Sequence, residues 1–381
     1  MNNDIKYIIT FLYILILTSC QKSDIHSSYS LYNTNDSIGF ILDNDTKSSI
    51  MTMFPYIDKD GTEYLTFQNP NKNDILFYDL SSKTLKFKIS PEINGPDGVG
   101  FFFGYYIHNL DSIFLTARST ENIPLINSKA NVIDKYNYKQ TADSINLSRF
   151  YSTTAIYTPI IFLDHKIYIV SGCNRWQNIN PVSAYIDLKD KNVYHLPFKY
   201  PTFPNAINKN KRAGIEEHMS RCFDGNRFIY SFYFDEYIYV ASINHKEIKR
   251  IKAGSRYIKN IEYIDDFGRT SIEKSCELAN YGNLIYDKYR NVYYRIAYPK
   301  TEIEKDIKGY ELREYGRKNF TIIILDKDLN IIGETKFPDY TYNSQLIFIR
   351  EDGIYISDSH YLNPNFNDDI LSFKRFDLKQ M

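Results

Sequence analysis

The stretch KDGTEYLTFQNPNKNDILFYDLSSKTLKFKI (Lys59–Ile89) decides the fold. A turn, Lys59-Asp60-Gly61-Thr62, leads into the apolar–aromatic run EYLTF. The segment DILFYDLSSKTLKFKI (Asp74–Ile89) then has the pattern of a hairpin. Short runs rich in aromatic and β-branched residues, bounded by Gly, Asp, Asn and Lys, predict strands rather than helices. The turn-then-strand unit recurs at Asn109-Leu110-Asp111 before SIFL, at Asp164-His165-Lys166 before IYIV and at Asp224-Gly225-Asn226 before RFIYSF. It returns at Tyr289-Arg290-Asn291 before VYYRIA and at Glu351-Asp352-Gly353 before IYIS, with a spacing of about 50 to 65 residues. Second hairpins follow, as in VSAYIDLKDKNVYHLPF (Val182–Phe198), YIYVASINHKEIKRI (Tyr237–Ile251) and FTIIILDKDLNIIGETKF (Phe320–Phe337). Asp79, Asp187 and Asp326 stand at the ends of outgoing strands, where a carboxylate accepts hydrogen bonds from turn amides.

Units of two hairpins predict an all-β fold, a six-bladed β-propeller of four-stranded blades, rather than two separate β-domains or a sandwich. The last unit is one strand short, because SFKRFDL (Ser372–Leu378) runs into the C-terminus. The run SIGFIL (Ser37–Leu42) supplies that strand, so that the N-terminal strand pairs with the C-terminal blade and closes the ring without a free edge. The propeller domain is placed at 36–381.

The N-terminus carries an address. Lys6, partly offset by Asp4, precedes an apolar run from Tyr7 to Leu17, which is signal-peptide length and too short to span a bilayer. Leu17-Thr18-Ser19-Cys20 has the order of a bacterial lipobox, in which the cysteine becomes the lipid-bearing first residue. Residues 1–19 are assigned to a lipoprotein signal peptide and 20–35 to a lipidated tether, polar from Gln21 to Ser30. Gln21 is not the aspartate that retains lipoproteins at the inner membrane, so the expected location is the outer membrane, on its periplasmic or surface face.

The chain of 381 residues carries 46 basic and 46 acidic side chains, and a neutral chain lacks the basic footprint that nucleic acid requires. Tyr (35) and Phe (25) are abundant, matching their propensity for strands. Besides Cys20, Cys173, Cys222 and Cys276 lack zinc-ligand or C-x-x-C spacing; in an oxidising compartment they allow one disulfide or three buried thiols.

The chain resembles the TolB-like six-bladed propeller lipoproteins of Bacteroidetes, and is most similar to the group called domain of unknown function 4221. The resemblance rests on the lipobox ending in Cys20, on the loop Asn94-Gly95-Pro96-Asp97-Gly98-Val99-Gly100, and on Asn363-Pro364-Asn365-Phe366-Asn367-Asp368-Asp369 before ILSF. It covers nearly the whole mature chain. It implies a lipid-anchored envelope protein and no established activity.

In a four-stranded blade the second-to-third and fourth-to-first connections share one face. The long connections are expected there: Ser90–Gly100, Ser119–Asn131, Ser171–Pro181, Lys199–Glu217, Ala253–Cys276 and Ala297–Asn319. Long loops on a rigid ring are the default binding surface. Asp97, Arg118, Arg175, Trp176, Glu216, Glu217, His218, Asp358 and His360 fall where strands meet that face, as a mixed-charge mouth for an anionic or sugar-like ligand with Trp176 stacking. Solvated loop residues have the same composition. Asp358, His360 and His218 have the side chains of a divalent-ion site, the first two one residue apart on a strand end, yet such pairs also arise by composition, and neither metal nor cofactor is expected. Asp97, Glu216 and Asp358 are the carboxylates open to glycosidase chemistry. No G-x-S-x-G elbow occurs, and the Gly95–Gly100 loop lacks the Lys-Ser/Thr of a phosphate loop. Asp-Ser-Ile at Asp36, Asp111 and Asp143 has the form of an O-glycosylation site, with Ser37 and Ser144 more accessible than Ser112. The function expected is a binding or scaffolding protein held at the membrane by its lipid, with a protein or glycan partner; the alternative is a carbohydrate-active or other hydrolytic propeller acting through the loop face.

Overall fold

Turn chemistry sets the strands. The computed structural model describes residues 28–50, 52–69, 71–117, 121–145, 147, 156–170, 181–201, 218–262 and 269–381. Asp79 Oδ1 accepts the amide of Ser82 at 2.6 Å, Asp187 Oδ1 that of Lys189 at 3.0 Å, and Asp326 Oδ1 those of Asp328 and Asn330 at 2.9 and 2.8 Å. Each of these turns carries a left-handed residue at its tip (Lys83, Lys191 and Leu329, φ 59° to 68°), the backbone of a longer hairpin loop.

The strands form antiparallel meanders in chain order. The first sheet is β2 (Met53–Ile57), β3 (Glu63–Asn69), β4 (Asp74–Asp79) and β5 (Leu85–Ile89). The second is β6 (Phe102–Asn109), β7 (Ser112–Ala117), β8 (Asn122–Ile126) and β9 (Val132–Asn137). The third is β10 (Ile161–Leu163), β11 (Lys166–Val170), β12 (Ser183–Asp187) and β13 (Val193–His195). The fourth is β14 (Met219–Phe223), β15 (Arg227–Phe232), β16 (Tyr237–Ser242) and β17 (Ile248–Lys252). An eight-stranded sheet holds the rest: β18 (Asn280–Asp287), β19 (Val292–Tyr298), β20 (Thr321–Leu325) and β21 (Ile331–Lys336) on one side, and β22 (Asn343–Arg350), β23 (Gly353–Ser357), β24 (Ile370–Gln380) and β1 (Tyr29–Ile41) on the other. The all-β expectation and its repeated four-stranded unit hold, giving a propeller-like architecture.

β1 pairs antiparallel with β24 from Tyr29↔Gln380 to Ile41↔Ile370, across almost the whole length of the chain. The strand is longer than the expected Ser37–Leu42 and takes in residues assigned to the tether. A bulge between Asn33 and Ser37, with Asn35 at φ 69°, breaks the alternation and hides the first half of the strand from a period-two reading. At its start β1 touches β21 through the parallel pair Tyr29↔Gly333. A Cβ on Gly333 would lie 2.0 Å from the Tyr29 carbonyl oxygen, so only glycine admits this approach.

Each sheet buries a face against the next. Ile75, Phe77 and Ile89 pack with Phe102, Tyr105 and Leu115; Phe114 and Tyr136 pack with Ile167, Ile169 and Ile186. Tyr168 and Val170 meet Phe228, Tyr230 and Phe232, and Ile229 and Ile238 meet Tyr293 and Ile323. Tyr294, Ile296 and Ile322 pack with Ile347, Ile356 and Phe376. Finally Phe40, Phe348 and Phe373 pack with Phe67, Leu76 and Tyr78 of the first sheet.

One expectation needs correction. The span Ser119–Asn131 is not one long loop, because it contains β8 and the tight β8–β9 turn. Pro124 obscured that strand; the β7–β8 ladder has the pairs Ile113↔Ile126 and Phe114↔Leu125 and ends before the proline that cannot donate to it. The long connections also hold two short helices, α1 (Arg269–Glu277) and α2 (Gly309–Tyr315). Among the described residues no helix is long and apolar enough to cross a membrane.

Phe40 is fully buried, with Tyr78 at 5.7 Å and Phe373 at 6.2 Å between ring centroids. Phe40→Ala is expected to cost about 3–5 kcal/mol in urea-induced unfolding. The neighbouring Ile41→Ala, at a side chain 74% exposed, should stay within about 0.5 kcal/mol. Equal effects would show that β1 is not packed as described.

Candidate functional site

The strand ends of the loop-bearing face are shaped by bulges. In β18 the register with β19 shifts between Tyr281 and Leu284, and in β22 the register with β23 shifts between Asn343 and Ile347. In β6 it shifts between Phe102 and Tyr105. A bulge re-aims side chains out of strict alternation. At Gly282-Asn283 it brings the Asn283 Oδ1 to the Tyr233 hydroxyl, which donates at 3.3 Å. At Ser344-Gln345 it brings the Ser344 hydroxyl within 2.9 Å of the Tyr298 hydroxyl, and the Gln345 amide onto the Arg313 carbonyl.

Tyr233, Asn283, Tyr298 and Ser344 thus converge from the ends of β15, β18, β19 and β22. Tyr233 is held through its backbone: its amide donates to the His218 carbonyl at 2.9 Å, and its carbonyl accepts from Tyr281 at 2.7 Å. The His218 ring stands edge-on to the Tyr233 ring, with centroids 6.1 Å apart. The Tyr233 ring is half-exposed while burial around its hydroxyl holds that group well above the usual phenol pKa. Tyr298 is buried, and its ring fills the space where a Cβ on Gly282 would stand, 2.8 Å from Cε2. The Arg317 guanidinium sits 4.8 Å from the centroid of the Tyr298 ring and donates to the Ser275 carbonyl.

Arg295 fixes the loop that carries Tyr233. Fully buried on β19, it donates to Ser231 Oγ at 2.9 Å and to the carbonyls of Asp235, Glu236 and Ala253 at 2.5 to 2.9 Å. The guanidinium also stacks 3.7 Å from the Tyr281 ring centroid. Burial lowers its pKa to about 10, which still leaves it charged at neutral pH. Arg221 has the same role in the preceding sheet, donating to Ser183 Oγ at 2.7 Å and to the carbonyls of Pro159 and Tyr168 at 2.6 and 3.0 Å. The planar fork of arginine suits such multi-carbonyl sites.

The loops above this cluster are locked to one another. Gly309 lets α2 approach α1 so closely that a Cβ there would lie 2.7 Å from the Glu273 Cα, and Cys276 Sγ donates to the Gly309 carbonyl at 3.3 Å. Gly316 ends α2 at φ 119°, with Asn343, Tyr342 and His360 each 3.0 Å from where a Cβ would sit. Its carbonyl accepts from His360 Nε2 at 3.0 Å, while His360 Nδ1 accepts from the Leu362 amide at 3.2 Å. Asn363 Nδ2 donates to the carbonyls of Thr341 and Asp358 at 3.1 and 2.9 Å. One rigid layer therefore joins the α2 segment, the β21–β22 link and the β23–β24 loop.

Against this geometry the expected site residues divide. Arg118, Arg175, Trp176, Glu216, Glu217 and Cys20, with Cys173, lie outside the described residues. His218 touches the cluster. His360 is fully buried with both ring nitrogens engaged, and Asp358 turns away to Ser372 and to Lys374 at 3.7 Å. β23 ends at Ser357, so the alternation that would aim both side chains together no longer applies. Asp97 is exposed on the β5–β6 loop, whose Pro96 and Gly98 carbonyls face the Lys135 ammonium; this is a turn, as expected, and not a phosphate cradle. Among the described residues no three His, Cys, Asp or Glu side chains gather as metal ligands. Among the described residues Cys222 and Cys276 are free and buried. Ser37 and Ser144 are exposed and Ser112 half-buried. Tyr233, Asn283, Tyr298, Ser344, Arg313 and Arg317 were missed. The one local signal was Gly282 inside an aromatic strand, a mark of a bulge or close approach.

Burial lowers both His360 and His245 to a pKa of about 4 from 6.5. His245 is held by the Tyr230 hydroxyl. Both histidines fold neutral, so the unfolded chain binds the extra protons. Their stabilisation is complete above about pH 6.5 and falls away as pH drops toward 4, by on the order of 3 kcal/mol per residue. Tm measured from pH 7.5 to 4.5 should fall, and His360→Gln should flatten that slope while lowering Tm at pH 7.5. An unchanged slope would remove His360 as a source of acid sensitivity.

Residues 28–336 match the family model described as Domain of unknown function (DUF4221). A crystal structure of a DUF4221 family member from Bacteroides vulgatus is similar at a TM-score of 0.80 and 26% identity, over 93% of this chain and 99% of that one. A Bacteroides fragilis protein whose name gives it as exported has a TM-score of 0.52 at 9% identity, over 95% of this chain and 98% of that one. No curated protein matches the chain.

Proposed function

We propose that this chain, which belongs to the DUF4221 family, is a lipid-anchored envelope protein that binds a ligand or partner on the loop-bearing face of a closed six-bladed propeller. The observation that carries the reading is the locked layer of loops, which holds Tyr233, Tyr298, Arg313 and Arg317 in place over a rigid β scaffold. Long loops fixed in one arrangement present a preorganised surface, which lowers the ordering cost of binding.

The closed ring has two supports. Hydrophobic clusters join each sheet to the next, and the cluster of Phe40, Phe67, Tyr78, Phe348 and Phe373 joins the last strands to the first sheet. Counting β18–β21 and β22–β24 with β1 as separate blades gives six, and the β1–β24 pairing supplies the strand that closes the last one. The Tyr29↔Gly333 contact then bridges two neighbouring blades.

The anchor rests on Leu17-Thr18-Ser19-Cys20. The topology gives the anchored protein an orientation. β1 ends at Ile41 beside Ile370, where the β23–β24 loop delivers β24 on the loop-bearing side, so its start at Tyr29 lies at the opposite, tight-turn side, where the Met381 amide donates to the Ser28 carbonyl. A chain leaving Cys20 and entering there holds the tight-turn side toward the membrane and the loop face away from it. The eight residues between Cys20 and Tyr29 reach about 30 Å at most. The exposed Ser37 and Ser144 are proposed modification sites, open to glycosylation in the folded protein.

Cys20→Ala should abolish incorporation of labelled palmitate and leave an unprocessed or released chain, with the folded β domain unchanged by circular dichroism. Full membrane retention without label would defeat the anchor. For the binding role, native protein captured from membranes should bring down a partner or glycan that Arg313→Ala and Tyr233→Phe reduce; recovery unaffected by either change moves the binding surface elsewhere.

A further inference from the structure

We infer that the cluster of Tyr233, Asn283, Tyr298, Arg313 and Arg317 is a binding site for the oxyanion group of a small ligand, such as the carboxylate of an acidic sugar. The inference rests on the reading of the loop face as the binding surface, and it names the site and the ligand chemistry. Four strand ends deliver polar groups to one place, and two of them do so through bulges. The α2 segment adds the charge. Arg317 stands over the Tyr298 ring, and the charges of Arg317 and Arg313 both bear on the Tyr233 hydroxyl.

Among the described residues neither arginine has a carboxylate partner within ion-pair distance, while the nearby Lys318 is paired to Glu304 at 2.7 Å. Arg317 uses one nitrogen on the Ser275 carbonyl and stands over the Tyr298 ring, which leaves further N–H donors of its fork for a planar oxyanion. Arg313 is exposed on α2, and Tyr233 is partly exposed, so the cluster meets solvent along that edge. Asn283 commits its carbonyl oxygen to Tyr233, which turns its amide N–H groups to other acceptors. The partly exposed Tyr233 ring gives the body of a sugar an aromatic surface to meet.

The test is a titration of the purified full chain in detergent with sodium galacturonate, neutral galactose, inorganic phosphate and sulfate, read by Tm and by calorimetry. A saturable galacturonate response, absent with galactose and weakened at least tenfold in Kd by Arg313→Ala, supports the inference. Arg313 is exposed, so this variant tests the charge without disturbing the core. Tyr233→Phe, which keeps the ring and removes the hydroxyl, should weaken binding as well. Responses to phosphate or sulfate with the same variant losses also support an oxyanion site and move its source from a uronic acid to a phosphorylated or sulfated ligand. No response to any anion, or one unchanged in both variants, overturns the inference. The broader binding role is scored separately by partner capture with the native protein, so the two readings fail independently.

Discussion

The structure depends on the pairing of β1 with β24, which ties Tyr29–Ile41 to Ile370–Gln380. These segments are as far apart in the chain as two strands can be, so their pairing carries a large loop-closure cost, offset by what it buries. Phe40 enters the apolar cluster shared with Phe67, Tyr78 and Phe373, and the exposed edge that β24 would otherwise present is covered. Gly333 completes the join by letting β1 reach β21 at main-chain contact distance. The fold is therefore least local at the point where its two ends meet.

Between sheets the polar contacts follow a common logic. Arg221 and Arg295 bridge neighbouring sheets by donating to backbone carbonyls of the adjoining sheet and its connections. On the tight-turn side, Arg227 donates to the Lys327 carbonyl and Arg290 to the Arg350 and Glu351 carbonyls, again reaching from one sheet to the next. His360 does the same for the loops, through the Gly316 carbonyl. Buried charge and imidazole serve here as fasteners, and their cost in solvation is offset by the carbonyls to which they donate. The loop layer inherits its rigidity from these contacts, and that rigidity is what makes a binding role physically sensible.

The strand content was legible because each turn-then-strand unit carries its own local instructions. The Asp79, Asp187 and Asp326 turns act within a few residues of themselves, and aromatic runs such as EYLTF and VYYRIA fit only a pleated, buried environment. Where a local rule was broken the reading slipped: Pro124 concealed β8, and the bulge at Asn33–Ser37 concealed the first half of β1. The candidate site was much less legible. Asp358 and His360 look like ligands by residue type, yet irregular backbone after Ser357 sends one to Ser372 and buries the other beneath Gly316.

By itself the sequence determined the class of structure and the repeating unit, because each is written in residues close together in the chain. Only the tertiary structure decided which side chains meet. Tyr233, Asn283, Tyr298, Ser344 and Arg317 lie up to about a hundred residues apart and are brought together by bulges and by the packing of separate sheets. No short-range pattern encodes such a meeting, since it is the non-local burial of whole sheet faces that fixes where strand ends point.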